Sequence, residues 1–486
     1  MKKTKALLAG WGEADITPHG RQVELAGQYY QRLATGVHSP LRAVALLLSQ
    51  GQRHSLFLTL DLVAVPEGFA QRLQQGVHLA IPDLPAANII INATHTHNAP
   101  GLAPVVDWYQ ADARAIGVAE FQDLVEARVL AAVQAAWAAR QPAGVAHVLD
   151  FARLGHCRRA VYADGLAEMY GRTDRDDFMG LEGGEDSGVD LVFFFDAKRR
   201  PTGVIVNVAC PSQVMEATYE VSSDFMGATR EQLKNEFGAG FVTLGQISAA
   251  GCQSPRDLTR NYHGEPDCWH ADGVAELSDR LTAAVRRGYA KVCEPGSLES
   301  GPLRHQTLTL RLPRRRVSYA EDVAARHEMA RLEAVQDSAA AYRDFCAELH
   351  QNEQIPGRPG PYDDKLHHFV LIRNQEAIVK RYETQMTEPE LTVEIQVVRL
   401  GDLVFATNPF ELYLEFGQRL KARSGVAQTL VVQLANGYQG YLPSARAEAL
   451  GGYGGLIING EVGADGGRLL VDATVAAIKQ LFVRQE

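Results

Sequence analysis

Residues Ala87–Gly101 read ANIIINATHTHNAPG, and the rest of the chain is organised around them. Ile89, Ile90 and Ile91 make a β-branched run of the kind that forms a short buried strand. The run then delivers His95-Thr96-His97 and breaks at Asn98, Pro100 and Gly101. On an extended backbone residues i and i+2 project to one side, so the spacing predicts two imidazoles emerging together at a strand end. In α/β enzymes such a pair meets a metal or a polarised water. The plainer alternative is two surface histidines beside a turn.

The chain around this stretch has 486 residues, enough for a large core. We expect a single catalytic domain over residues 1–486. A net charge of −10 argues against a nucleic-acid-binding surface as the main business. The basic start MKKTK is followed by only a short apolar run, Ala6–Gly10, too short for a secretory leader. No run approaches the roughly 18 apolar residues of a membrane span. The expectation is a cytoplasmic protein without stable membrane insertion. Cys157, Cys210, Cys252, Cys268, Cys293 and Cys346 stand singly, with no CxxC pair, so neither a zinc ribbon nor a disulfide scaffold is suggested.

Strand patterns at Val44–Leu48 and Ser55–Leu60 pair plausibly as a hairpin across Gln50-Gly51-Gln52, followed by a helix at Pro66–Leu79. Val118–Arg140 is an alanine-rich helix stopped by Pro142. Strands are expected at Val189–Phe195, Gly203–Val208 and Phe241–Leu244, with helices at Gly227–Phe237 and Ala271–Gly288. Ser318–Gln354 reads as one long charged helix opened by a capping box, Ser318 with Glu321. After the Pro356–Pro361 loop comes a second helix, Lys365–Tyr382, so that residues 318–382 make an inserted helical hairpin. Leu391–Leu400 and Leu403–Thr407 form a hairpin on Gly401-Asp402. A helix Glu411–Ala422, a strand Thr429–Leu434, a glycine-rich loop Asn436–Gly467 and a final helix complete the chain, with no internal repeats. The class is α/β, with mixed β-sheets flanked by helices.

Several of these strands end in short polar loops: Asp61, His95/His97, Cys210, Ser254 and Asn408–Glu411. Ligand sites form where strand ends converge. Their residue types make a metal-hydrolase set.

The motifs resemble the catalytic domain of the neutral ceramidase family, the non-lysosomal zinc amidases. Ala93-Thr-His-Thr-His97 with Asn98-Ala-Pro-Gly101 is the closest. Gly10–Pro18, ending in Asp-Ile-Thr-Pro, Gly36–Leu41 and Gly251-Cys-Gln-Ser-Pro255 support it. The resemblance implies His95 as a zinc ligand and His97 as the histidine facing substrate. It further implies Arg158 as the guanidinium that holds a substrate oxygen, with Glu411 and Tyr453 as further zinc ligands. Tyr438 or Tyr441 would line the pocket, and Ser254 matches the proposed nucleophile. Where the family has its second zinc histidine, this chain has Cys210, also a competent ligand. Where it has the aspartate of Gly-Asp-Val-Ser-Pro, this chain has Cys252.

The chain ends where the family's long secreted members continue into an immunoglobulin-like domain. A soluble small-molecule N-acyl substrate is therefore expected in place of membrane ceramide. The implied mechanism has zinc, held by His95, Cys210, Glu411 and Tyr453, polarising a carbonyl and lowering the pKa of a bound water towards roughly 7. Arg158 or His97 stabilises the oxyanion, and Ser254 is either the nucleophile or a partner of that water. The alternatives are a metal-dependent esterase, lactonase or deacetylase, or a metal-free, non-catalytic homologue. Self-association into a homo-oligomer is left open.

Overall fold

Strands that are apolar on both faces need cover on both faces, and this demand shapes the molecule. The computed structural model describes residues 5–28, 30–104, 111–260, 268–293, 301–353 and 367–483. Ile89–Ala93 is a strand, parallel to Arg53–Leu60. Arg53–Leu60 is in turn the second half of a hairpin with Arg42–Gln50, and Leu8–Asp15 lies beyond that, antiparallel. The helix Glu67–Ala80 carries the chain over to Ile89–Ala93, as a parallel pair requires.

The same succession occurs three times. Gly144–Phe151, Gly188–Phe195 and Pro201–Val208 are antiparallel, and helix Asp224–Phe237 leads to the parallel strand Val242–Ile247. Leu303–Pro313, Glu390–Leu400 and Leu403–Thr407 are antiparallel, and helix Leu414–Ser424 leads to the parallel strand Gln428–Val432. Each unit is followed by a longer helix, Val118–Ala138, His270–Val292 or Ala464–Phe482. No repeat is visible in the sequence, so the likeness between units resides in topology alone.

The isoleucine run shows how the units pack. Ile89 and Ile91 lie under Phe69, Leu73, Val125 and Val129 of the first unit's helices. Ile90 points the other way, into a core shared with Leu46, Phe194, Ile205, Phe405 and Leu430, which come from all three sheets. Each such side chain is fully buried and contributes about 1.5–3 kcal/mol.

Four local expectations are corrected. Ser318–Gln354 is not one helix but two, Tyr319–Glu333 and Ser338–Glu353. The break is fixed by Asp337, whose Oδ1 accepts the Ala340 N–H at 2.9 Å; the Ser318/Glu321 capping box forms as expected. The following helix is His368–Thr384, while Pro356–Pro361 and Lys365 lie outside the described residues. Glu411 does not begin a helix: Glu411–Leu412 pairs in parallel with Tyr441–Leu442, and the helix starts at Leu414. The stretch Asn436–Gly467 is not structureless, since it holds Tyr441–Leu442, the helix Ala445–Leu450 and the start of the last helix at Ala464. The helices described between 319 and 384 fall between Leu303–Pro313 and Glu390–Leu400, which pair directly with each other. Among the described residues no helix is long and apolar enough to cross a membrane.

Candidate active site

The third and fourth strands of each unit end on one side of the molecule, and backbone hydrogen bonds tie these ends together between units. Ser212 N–H donates to Thr94 O (3.3 Å), Gln433 N–H to Ile247 O (3.0 Å) and Asn436 N–H to Ile91 O (2.8 Å). Asn436 adds its side chain, whose Oδ1 accepts the Ile91 N–H at 2.8 Å. Most of the polar groups expected at strand ends converge here. Asp61 does not join them, since it forms a buried bidentate ion pair with Arg230 at 3.0 and 3.1 Å.

The two histidines meet, but not by strand alternation. The strand stops at Ala93 and His95 sits at φ 63°, a left-handed conformation costing about 1–3 kcal/mol in a residue other than glycine. Its Nδ1–H donates to Val63 O at 2.7 Å, which turns Nε2 inward. That Nε2 lies 3.4 Å from Glu411 Oε2 and 3.4 Å from His97 Nε2. Burial alone would raise the Glu411 carboxyl, yet His95 and Arg158 hold it below its ordinary value and ionised.

His97 is packed against Gly27, where φ is 98° and an added Cβ would lie 2.6 Å from the imidazole Cγ. Burial, with His95, Arg32 and Arg158 nearby, keeps His97 well below the usual imidazole range, so the ring is neutral. Its Nδ1 lies 3.3 Å from Glu216 Oε2, and Gln213 Nε2 donates to its Nε2 at 2.8 Å. Arg32, with no exposed area, donates to the carbonyls of Ala26, His97, Glu216 and Thr218, locking the Gly27 loop to both residues.

Glu216 is buried, and burial pushes its carboxyl up to about 7 despite Arg158, Tyr170, Arg32 and His95. Oε2 also accepts Gln28 Nε2–H at 3.2 Å. Oε1 lies 3.2 Å from the hydroxyl of Tyr170, which in turn lies 3.1 Å from Ser254 Oγ. Ser254 is fully buried and its Oγ accepts the Arg256 N–H at 3.2 Å. Arg158 donates to Gly251 O (3.1 Å) and Tyr441 Oη (2.9 Å). Burial opposes its charge, but Tyr441, Tyr170, Glu411 and Tyr453 outweigh that and keep it protonated. The Tyr453 ring packs 5.4 Å from Tyr441 and 6.0 Å from the guanidinium. Tyr438 donates to Glu411 Oε1 at 3.2 Å while the residue as a whole is 44 % exposed, so it links the buried carboxylate to the surface.

Cys210 is placed apart from this group. It packs with Val208, Val214, Met215 and Cys268, and its Sγ lies 3.3 Å from Leu154 O and 3.6 Å from Pro211 O. Burial, then Asp224 and Cys268, push the thiol well above its ordinary range, so it stays protonated. Cys252 packs with Leu412, Tyr413 and Ala249. Glu216, Tyr170, Gln213, Gln28 and Arg32 were not singled out from sequence. Glu216 carried one usable signal, a lone acid in the loop after a buried strand; Tyr170 carried none.

The 3.4 Å between His95 Nε2 and Glu411 Oε2 suits one edge of a tetrahedral zinc site with bonds of about 2.0–2.2 Å. A catalytic zinc takes three protein ligands. Among the described residues no group of three His, Cys, Asp or Glu side chains is placed to hold a metal, and Cys210 does not complete the face. Of the four zinc ligands expected from sequence, His95 and Glu411 meet, whereas Cys210 turns its sulfur to Leu154 O.

No protein-family model matches the chain, and no curated protein matches its sequence. Among solved structures, it is similar to a neutral ceramidase from Pseudomonas aeruginosa, with a TM-score of 0.68 at 19% identity, over 99% of this chain and 76% of that one. A ceramidase complexed with C2 gives 0.68 at 18% identity, over 99% and 77% of the two chains. The likeness expected from the motifs is thus found in the fold.

Proposed function

We propose that this chain, built on the fold of the neutral ceramidases, is a hydrolase that cleaves an amide (N-acyl) bond in a small-molecule substrate. One observation carries the reading: four buried groups meet here, His95 after the last strand of the first unit, Glu411 after the third strand of the third, and Arg158 and Ser254 on the small ladder that pairs His156–Cys157 with Gln253–Ser254. The scissile carbonyl enters past Tyr438 and presents its oxygen to the Arg158 guanidinium. A donor in that position stabilises the developing oxyanion by roughly 3–4 kcal/mol. Ser254 Oγ supplies the attacking oxygen. His95, with Nδ1–H fixed by Val63, offers Nε2 to the proton of the water that later releases the acyl group.

The rim favours a polar substrate over a membrane lipid. Beside Tyr438 it carries Gln439, whose amide donates to the exposed Glu67 carboxylate at 3.3 Å. Zinc dependence is supported by the His95–Glu411 pair and opposed by the placement of Cys210 outside it, and no step above is routed through a metal.

The test is a panel of soluble N-acyl amines and matching O-acyl esters, assayed for released amine or alcohol with and without added zinc, alongside metal analysis. Amide cleavage by the wild type, reduced at least 100-fold by Arg158→Ala, is expected. Turnover of neither series under any metal condition would overturn the assignment and leave a binding protein. Ester turnover alone would move it to the esterases.

A further inference from the structure

The proposed reaction needs the Ser254 hydroxyl to lose its proton, yet among the described residues Ser254 Oγ meets the Arg256 N–H, a donor, and the Tyr170 hydroxyl. We propose that Tyr170 is a catalytic residue that relays the Ser254 proton to Glu216. This rests on the reading of Ser254 as the nucleophile.

The geometry is that of a two-step path. Tyr170 Oη stands 3.1 Å from Ser254 Oγ and 3.2 Å from Glu216 Oε1. It has one proton to give: donating it to the carboxylate leaves the oxygen lone pair to accept from Ser254. The other carboxylate oxygen is already engaged, by Gln28 at 3.2 Å and His97 Nδ1 at 3.3 Å, so Oε1 is the one left to Tyr170. The tyrosine is held rather than merely present. Its φ is 54°, its backbone N–H donates to Arg158 O at 2.7 Å, and its ring stands edge-on to Trp269 at 5.9 Å. A left-handed tyrosine is a strained conformation that persists only where the surroundings impose it.

The step balances. As Ser254 Oγ bonds to the acyl carbon, its proton passes to Tyr170 Oη and the tyrosine's own proton passes to Glu216 Oε1. The carbonyl electron pair moves onto the oxygen beside Arg158. When the carbon–nitrogen bond breaks, its electrons go to nitrogen, which takes the proton returned from Glu216 through Tyr170. The free amine leaves, and an ester on Ser254 remains. Water then hydrolyses that ester, so that amide and water yield acid and amine. Glu216 acts behind Tyr170 as a positioning residue and proton store. The charged and titratable groups facing it are His97, Tyr170, Arg158, Arg32 and His95. Its burial places its ionisation at about 7, so acylation should rise with pH through neutrality.

The test uses a fluorophosphonate probe, in which Ser254 Oγ displaces fluoride from phosphorus. Labelling is followed by mass spectrometry beside amide turnover in the full chain, with thermal melts to confirm folding. Wild type should label at Ser254, and Ser254→Ala should not. Tyr170→Phe, which keeps the ring against Trp269, should label about 100-fold or more slowly. Its amide kcat should fall with it while KM changes little. Glu216→Gln should slow labelling and abolish its rise with pH. In the wild type, labelling in mixed H2O and D2O should follow a curved proton inventory, because two protons move together. Tyr170→Phe labelling at the wild-type rate, or a linear inventory, would overturn the relay. Labelling with these properties but no amide turnover would uphold the relay and overturn the substrate assignment. Amide turnover unchanged in Ser254→Ala would overturn the nucleophile and the relay together.

Discussion

Cys210 and Glu216 stand six positions apart in one loop and have opposite fates. Cys210 follows a buried strand and turns its sulfur toward carbonyl oxygens among apolar neighbours; Glu216 reaches the site. On this placement Cys210→Ala should lower stability by about 1 kcal/mol and leave amide turnover and metal content unchanged, measured by thermal melts, assay and elemental analysis. Simultaneous loss of metal and activity would instead make Cys210 a ligand. His95, His97 and Glu411 were legible because each sits in a short motif whose residue types are unusual at a strand end. Even so, the expected alternation was not what brings the imidazoles together: the left-handed turn at His95 does that, and no spacing rule announces it. Tyr170 was illegible for a different reason. Its meaning lies in contacts with residues 46 and 84 positions away, which no local pattern encodes.

The hairpins were legible from their turns, and the helices from their apolar spacing and caps. Leu8–Asp15 was not read as a strand because Gly10 and Gly12 weaken any β pattern. The structure supplies their reason: a Cβ at either would lie 2.0 Å from the carbonyl oxygens of Ala136 or Ala132, so helix Val118–Ala138 can sit on the sheet only over glycine. Leu303–Pro313 was hidden by its polar residues, which belong to a half-buried strand. The helical insertion has a role at the same scale. Phe345, Ala341, Leu349 and Phe369 pack on Tyr30, two residues beyond Gln28, which holds Glu216. Phe345→Ala should therefore cost about 3–5 kcal/mol of local packing and also lower kcat, although the helix contributes no group to the chemistry. Hydrogen exchange at the insertion, read beside the assay, checks both parts; unchanged kcat would confine the insertion to packing.

Across the whole molecule, the core shared by three sheets argues that the units do not unfold apart, and we expect the chain to behave as one domain. Calorimetry should give a single transition whose van't Hoff and calorimetric enthalpies agree; two resolved transitions would divide the chain. The α/β class was plain from alternating elements, whereas the threefold arrangement was not. The sheets share order and direction while their residues share no pattern, because a buried strand asks only for apolar side chains on both faces.

That arrangement also sets a clock. A ribosome delivers His95 first, then Arg158, Glu216 and Ser254, and only near the end Glu411 and Tyr438. Until the third sheet has emerged, Ile90 and Phe194 lack the neighbours that cover them, and His95 lacks its carboxylate. The nascent chain must therefore carry exposed apolar strands and unpaired site residues through most of its synthesis. On the proposed reading, any product cut short before residue 411 should be inert however well its earlier sheets have formed, and activity should arrive all at once with the last strand to dock.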